Sequence, residues 1–278
     1  MSFTKNDIKQ IEAKGLTVNQ VESQIELFKT GIPFTNIAAA ATIGDGILDL
    51  SEQQKEEAIT HFDSNKKGLS LLKFVPASGA ATRMFKFLFK FLKDYNPQKE
   101  SLNSFINKND SKDLAFFLVG LEKFPFYEQV LERLHEKGID FKTLSTQDKA
   151  VHFVQIMLGE DELNFGNSPK GLLPFHKYKN GYISTAFEEH LYEAALYASN
   201  DKKAELHFTI SENYRDKFTE EFRRIEEYVE ENTGVSFNIS FSYQQESTDT
   251  IAVTPKDIPF RNDDDTLLFR PSGHGALL

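Results

Sequence analysis

Apolar and polar residues follow two different periods along this chain, and each period predicts one kind of element. Strict alternation, which is typical of a strand, occurs from Ala204 to Ile210 and from Phe237 to Tyr243. The mostly apolar run from Leu71 to Val75 is suited to a buried strand. Apolar residues at helical spacing predict helices within the first seventy residues and at about 126–136, 146–158, 185–198 and 211–229.

Two of the N-terminal helices have recognisable starts. Thr17 followed by Gln20, and Ser51 followed by Gln54, have the spacing of a capping box, in which two side chains bond each other's backbone amides. Gly31 is the expected end of the first of these helices, because glycine is common just after a helix C-terminus. We therefore predict a helical N-terminal extension over residues 1–68.

The order of the elements predicts the fold class. Strands that alternate with helices favour an α/β fold, with a mostly parallel sheet flanked by helices on both faces. We assign this α/β domain to residues 69–278, with further short strands at 250–253 and 266–269. Residues 275–278 have the pattern of a turn entering an apolar element, so we expect this chain to be part of a longer protein.

Charge and composition narrow the classes of partner. The formal net charge of −10 argues against nonspecific binding to nucleic acid or to a membrane, because both need a basic surface. The chain has no cysteine, which excludes disulfides, thiolate metal sites and a cysteine nucleophile. It has neither a secretory signal nor the ~18 consecutive apolar residues of a membrane span. We therefore predict a cytoplasmic protein.

The loop after the first strand is the strongest candidate for chemistry. Residues 76–83 are small up to Thr82, and Arg83 follows where the next helix begins. Small residues let backbone N–H groups approach a phosphate, and the helix N-terminus adds a favourable dipole. Arg83 adds a guanidinium that bonds two phosphate oxygens at once. The alternative is a tight strand–helix connection with an exposed arginine.

The residues of this loop resemble a known signature. The segment FVPASGAATRM, from Phe74 to Met84, is similar to the GGxGTR loop that closes the first strand of sugar-nucleotide pyrophosphorylases. Ser78 and Gly79 stand where the paired glycines stand, Ala81 stands in place of the third glycine, and Thr82–Arg83 match outright. The resemblance implies a Rossmann-like nucleotidyltransferase fold of the GT-A type, with residues 84–166 as an insertion.

The whole chain is also similar to a bacterial family of uncharacterised proteins that is grouped with the nucleotidyltransferases by similarity alone. Members of that family carry segments like 76–84, PKGLLPFH at 169–176, STDT at 247–250 and RPSGHGAL at 270–277.

The resemblance implies a role for each matching position. Ser78, Gly79, Ala80, Ala81 and Thr82 would lie over a nucleoside triphosphate, and Arg83 would contact its β- and γ-phosphates. Lys170 matches a lysine that neutralises the reacting phosphates. The remaining matches concern the base: Gln244 resembles a glutamine that recognises it, and Gly273, His274 and Gly275 resemble the turn that approaches uridine.

The implied reaction is uridylyl transfer. An oxygen of a sugar 1-phosphate would attack the α-phosphorus of UTP and expel pyrophosphate, with Mg²⁺ as the cofactor. The aspartate that holds Mg²⁺ in these enzymes follows the glycine-rich turn, and this chain contains no matching aspartate. A nucleotide- or sugar-nucleotide-binding module without turnover is therefore the second hypothesis. A structural protein in which the loop is only a connector is the third.

Two acidic clusters have simpler interpretations than metal binding. Asp263, Asp264 and Asp265 resemble the DxD motif of glycosyltransferases, but they are predicted to form a turn between two short strands. Glu188 and Glu189 are predicted to lie on a solvated helix, because adjacent residues do not share a helix face. No histidine pattern predicts a zinc site.

Overall fold

The computed structural model describes residues 3–272, whose contacts group the chain into two compact units. Unit 1 comprises Met1–Ser70 and Tyr243–Leu278, and unit 2 comprises Leu71–Ser242. The junction at residue 70 lies close to the predicted boundary after residue 68. Residues 243–272, which were predicted to belong to the sheet domain, group instead with the N-terminal segment.

The fold of the described residues is mixed α/β, with small sheets that are partly parallel. The α-helices are Lys5–Ala13 (α1), Val18–Thr30 (α2), Glu52–Asn65 (α3), Lys86–Asp94 (α4), Leu102–Lys108 (α5), Lys112–Val119 (α6), Tyr127–Glu136 (α7), Thr146–Leu158 (α8), Ala186–Tyr197 (α9) and Arg215–Thr233 (α10). The strands are Thr42–Ile43 (β1), Gly46–Ile47 (β2), Leu72–Pro76 (β3), Pro174–Lys177 (β4), Ile183–Thr185 (β5), Ser199–Asn200 (β6), Lys203–Ile210 (β7), Ser236–Tyr243 (β8), Thr250–Ile251 (β9) and Phe269–Arg270 (β10). None of the described helices has the length and apolar character needed to cross a membrane.

Unit 1 is built around α1, α2 and the β9–β10 pair. Both predicted capping boxes are present, at Thr17 and Ser51. The buried apolar residues of the two helices pack against the last segment of the unit, in one core formed by Ile11, Leu16, Val21, Ile25, Ile251, Leu267 and Phe269.

Two glutamine side chains join the helices of unit 1 to its strands. The Gln10 amide donates to the carbonyl of Leu267 at 2.8 Å and accepts from its N–H at 2.9 Å. Gln24 likewise accepts from the N–H of Ile251 at 2.9 Å, and its amide donates to the carbonyl of Asp249 at 3.2 Å. Each amide thereby supplies the pair of hydrogen bonds that a neighbouring strand would give.

An ion pair with a buried carboxylate joins α1 to residues 243–272. Both carboxylate oxygens of Asp7 accept from Arg261, at 2.9 Å each, and the Asp7 side chain is almost fully buried. Arg261, acting chiefly through its hydrogen bonds, lowers the pKa of Asp7 to about 2. The pair holds together two segments that are far apart in sequence.

The sheet of unit 2 has β7 at its centre. β3 pairs with β7 in parallel, β6 pairs with it antiparallel, and β8 also pairs with β7. Side-chain contacts between β7 and β8 advance in the same direction along both strands, as in a parallel pair. These contacts join Glu205 to Asn238, His207 to Ser240 and Thr209 to Ser242.

The two faces of this sheet differ. On one face Phe208 packs against Phe187 of α9, with ring centroids 4.7 Å apart, and Phe218 of α10 packs against Phe187 at 5.3 Å. On the other face Phe74 stacks on His207 and is 43% exposed. The prediction of helices on both faces is therefore wrong. The alternating polar residues of β7 and β8 are the reason, because such alternation produces a sheet with one apolar face.

The remaining helices of unit 2, α4 to α8, form a helical lobe with an aromatic core. This lobe is inserted between β3 and the β4–β5 hairpin. Its core contains Phe91, Phe117, Phe126 and Phe153, and the rings of Phe117 and Phe153 meet edge to face at 6.2 Å. Aromatic pairs in this geometry add stability beyond the area they bury.

The Asp7–Arg261 pair predicts an acid-sensitive step in the stability of unit 1. Arg261→Met should lower the midpoint of thermal unfolding by several degrees at neutral pH, because it leaves the buried Asp7 carboxylate without its partner. Asp7 has a lowered pKa in the folded state, so its contribution is present at neutral pH and lost as the pH falls towards 2. The gap between variant and wild type should shrink in acid.

Arg270→Met is the matched control, because Arg270 is exposed and forms no ion pair with a described residue. Equal midpoints for Arg261→Met and wild type at neutral pH would contradict a stabilising role for the pair.

Candidate functional site

The structure brings the 76–83 loop against the segment that contains Lys170. The N–H of Lys170 donates to the carbonyl of Gly79 at 3.2 Å, and the N–H of Ala81 donates to that of Ser168 at 3.1 Å. These bonds form an antiparallel bridge between Ala80 and Pro169. Arg83 and Lys170 therefore lie on adjoining loops, although the whole helical lobe separates them in sequence.

Side chains add to the backbone bonds at both ends of the loop. Thr82 donates its hydroxyl to the carbonyl of Gly166 at 3.0 Å. Ser211, just after β7, donates to the carbonyl of Ser78 at 3.2 Å. The loop is thus held between the helical lobe and the carboxyl ends of two parallel strands, where ligands of α/β sheets commonly bind.

Several backbone amides of the loop have no partner among the described residues. They are those of Ser78, Gly79, Ala80 and Thr82. A run of unpaired amides ahead of a helix is a common arrangement for binding an anion. The Arg83 and Lys170 side chains are exposed and form no ion pair with a described residue, so both cations are available to a ligand.

Gly79 and Ala81 differ in the space around them. No atom lies within 4 Å of the position that a Cβ on Gly79 would take, so the protein itself leaves room for a side chain there. Ala81 is fully buried in the core of the helical lobe and does not have a positive φ. Alanine therefore fits that position without backbone strain, although it stands where the pyrophosphorylase signature has glycine.

None of the described contacts of unit 2 joins the other predicted site residues to this loop. Gln244 belongs to unit 1, where its amide donates to the carbonyl of Ser272 at 2.9 Å. Gly273, His274 and Gly275 lie outside the described residues. The roles implied for these four residues stay predictions.

Near the Lys170 turn, α9 carries a buried carboxyl that was predicted to lie on a solvated helix. Glu188 is 0% exposed, and the hydroxyl of Tyr182 donates to it at 2.6 Å. The nearest cation is Arg224, at 3.8 Å, which itself pairs in bidentate fashion with Glu221. One carboxylate oxygen of Glu188 has no hydrogen-bond partner among the described residues. Burial is the main cause that raises the pKa of Glu188.

Its neighbour Glu189 is held by polar partners. It accepts hydrogen bonds from Ser184 and from Tyr178, and its Oε1 lies 3.1 Å from Nδ1 of His176. Burial opposes ionisation, but these bonds together lower the pKa of Glu189. The prediction of a solvated helix is wrong for this turn, because the β4–β5 hairpin and α10 cover it.

The acidic segments near the C-terminus are structural. Asp264 accepts from both the N–H and the hydroxyl of Thr266, and Asp265 has a φ of 66°, as the predicted turn requires. Asp249 is buried and pairs with Lys14 at 3.2 Å. Among the described residues, no group of three or more His, Cys, Asp or Glu side chains is arranged to hold a metal ion.

Comparison with protein-family models gives a match over nearly the whole chain. The family model described as "Domain of unknown function (DUF4301)" matches residues 4–278. The chain belongs to the DUF4301 family. No curated protein and no solved structure matches it. Membership in DUF4301 agrees with the resemblance to a family of uncharacterised proteins and leaves the resemblance to nucleotidyltransferases untested.

The buried carboxyl of Glu188 predicts that the protein loses stability as the pH rises. Its pKa is raised in the folded state, so its contribution is complete at low pH and is lost as the pH rises through that value. Glu188→Gln keeps an acceptor for Tyr182 and removes the charge. As the pH rises from the ordinary range of a glutamate carboxyl towards neutral, the variant should gain stability relative to wild type, by at most about 1.4 kcal/mol per pH unit.

Urea unfolding across this pH range measures the difference, with the exposed Glu220→Gln as the control on α10. A difference between Glu188→Gln and wild type that does not change with pH would show that Glu188 titrates normally.

Proposed function

We propose that this DUF4301 chain is a nucleotidyltransferase-like protein that binds the phosphates of a nucleoside triphosphate on the 76–83 loop. The reaction is transfer of a uridylyl group from UTP to a sugar phosphate. An oxygen of the sugar phosphate forms a bond to the α-phosphorus, the bond from that phosphorus to the bridging oxygen breaks, and pyrophosphate leaves. A GT-A type fold and a cytoplasmic location belong to the same proposal.

The observation that carries the proposal is the junction of the two loops. The unpaired amides of Ser78, Gly79, Ala80 and Thr82 lie beside the Lys170 turn, which is bonded to Gly79 through its backbone. Phosphoryl and nucleotidyl transfer need little covalent chemistry from a protein, because catalysis consists chiefly of positioning phosphates and neutralising their charge. Fixed amides, an arginine and a lysine are suited to that task.

Arg83 and Lys170 take different parts in this scheme. The planar guanidinium of Arg83 bonds two phosphate oxygens at once, which orients the triphosphate. The ammonium of Lys170 is a compact charge that follows the phosphates as negative charge moves towards pyrophosphate. Their loops are fixed to each other by backbone bonds, so neither loop needs to be ordered by the ligand.

The described residues do not fit a Mg²⁺ ion held by the protein alone, because no suitable cluster of ligands occurs among them. We assign no step to the metal. Mg²⁺ belongs to the proposal as an ion that accompanies the triphosphate, whose oxygens are its usual ligands.

The same observation supports a second candidate, a nucleotide- or sugar-nucleotide-binding module without turnover. Such a module needs the amides, Arg83 and Lys170 but no metal ligands of its own. The two candidates differ only in whether pyrophosphate is released.

Removal of either cation should weaken nucleotide binding. Arg83→Ala and Lys170→Ala should each lower the affinity for UTP by about tenfold or more, since a hydrogen bond to a charged group contributes about 1.5–3 kcal/mol. Titration calorimetry with UTP, with and without Mg²⁺, measures the change. Arg223→Ala and Lys112→Ala remove exposed cations from other helices of unit 2 and should leave the affinity unchanged.

No heat from UTP, ATP, GTP, CTP or dTTP with the wild-type chain would contradict the binding step. Saturable binding without pyrophosphate release, when glucose 1-phosphate is added, would favour the binding module over the enzyme.

Gly79 provides a test that separates ligand contact from folding. A Cβ at this position meets no protein atom and no positive φ, so Gly79→Ala should change the free energy of unfolding by no more than about 1 kcal/mol. The added methyl group would occupy the space through which a phosphate reaches the loop amides. We expect Gly79→Ala to lower the affinity for UTP by about tenfold or more.

Gly68→Ala is the matched control, because Gly68 also has open space and no positive φ but lies in unit 1. Normal UTP affinity in Gly79→Ala would mean that phosphates do not approach the loop backbone.

A further inference from the structure

The helical lobe contains a cavity of about 500 Å³, and no residue of the 76–83 loop lines it. Small-molecule sites have volumes of roughly 300–1,000 Å³ and combine apolar walls with a few polar groups. This cavity has both components. Leu102, Leu118, Leu121 and Phe141 contribute apolar wall, and Tyr127 adds a second aromatic ring.

The charges around the cavity are mostly positive. Lys123, Lys142 and Lys149 line it, against a single acidic residue, Glu122. None of the three lysines forms an ion pair with a described residue. By contrast, Lys137, elsewhere in the lobe, pairs with a glutamate.

One of these lysines lies over an aromatic ring. The ammonium of Lys149 lies 5.6 Å from the centroid of the Phe141 ring, and both residues line the cavity. A cation over a ring face is attracted by the ring but keeps its hydrogen-bond donors. Lys149 is therefore placed to bond an anionic group that reaches the same wall.

Tyr127 supplies a neutral donor beside these cations. Its ring is stacked on Phe153, with centroids 5.8 Å apart, and its hydroxyl has no hydrogen-bond partner among the described residues. Burial, followed by the charges of Glu122 and Glu128, raises the pKa of Tyr127, so the hydroxyl keeps its proton at neutral pH.

We propose that this cavity binds an organic anion with an apolar body, its acidic head group held by Lys149 and its body held against Leu118, Leu121 and Phe141. The head group is a carboxylate or a phosphate monoester, since an ammonium and a hydroxyl serve both. A purely apolar ligand would leave the lysine charges unused, and a large polar one would not match the leucine and phenylalanine walls.

The test compares three ligands that share an eight-carbon chain: octanoate, octyl phosphate and 1-octanol. Calorimetric titration into the full chain should give saturable binding of at least one anion, with 1-octanol about tenfold weaker or more. The anion that binds more tightly identifies the head group. No saturable anion binding, or equal affinity for 1-octanol, overturns the proposal.

Two variants locate the site. Lys149→Met keeps the bulk of the side chain and should lower anion affinity by about tenfold while leaving 1-octanol unchanged. Lys112→Met, on α6 but not in the cavity wall, is its control. Unchanged anion affinity in Lys149→Met overturns the assignment of the head group.

Val119 lines the cavity and is 87% exposed, so Val119→Trp adds bulk at the mouth without disturbing the core. It should weaken all three ligands, with Val119→Ala as control. Wild-type binding in Val119→Trp would place the ligands elsewhere. Thermal unfolding of each variant confirms that it is folded, so a loss of binding is not a loss of structure.

Discussion

Two backbone hydrogen bonds at the Ala80–Pro169 bridge are the constraint on which the rest of unit 2 depends. They close the chain around the whole helical lobe, and closing so long a loop costs conformational entropy. The buried contacts of the lobe offset this cost, because its aromatic core includes Ala81 at one end of the insertion and Leu173 at the other. The bridge in turn fixes the 76–83 loop, its free amides and Lys170 in one place. The candidate site is therefore a consequence of how the insertion is closed.

Local elements were predictable from the sequence, because their signals are local. The capping residues Thr17 and Ser51 start helices as expected, and α7 and α8 follow the periodicity of their apolar residues. The sheet was only partly predictable. The alternation in β7 indicates a strand with one polar face, whereas alternating strands and helices are typical of a sheet covered on both faces, so the two signals disagree. The grouping of residues 243–272 with α1 depends on the Asp7–Arg261 pair and the glutamine amides, and no sequence spacing reveals such long-range contacts.

The candidate site shows the same limit. The loop itself could be found, because small residues between a strand and a helix, followed by Arg83, have a direct physical meaning. Glu188 was missed because acidic residues in the first turn of a helix are usually exposed and stabilised by the helix dipole. Its burial comes from Tyr182 and from Arg224 on α10, which is held in place by Glu221. A signal existed in the spacing of Tyr182 and Glu188 at the end of a short hairpin, but only the structure shows that they meet.

The net charge of this protein does not decide which ligand charge the two proposed sites would favour. An overall charge of −10 acts through water and salt, which screen exposed charges beyond about 8–10 Å. A ligand in a loop or cavity responds to the few groups that contact it. Some acidic side chains of this chain are paired with cations, such as Glu221 with Arg224 and Glu162 with Lys137. Lys170, Arg83 and Lys149 are outside such pairs, so these three cations are available to an anion although the protein as a whole repels one.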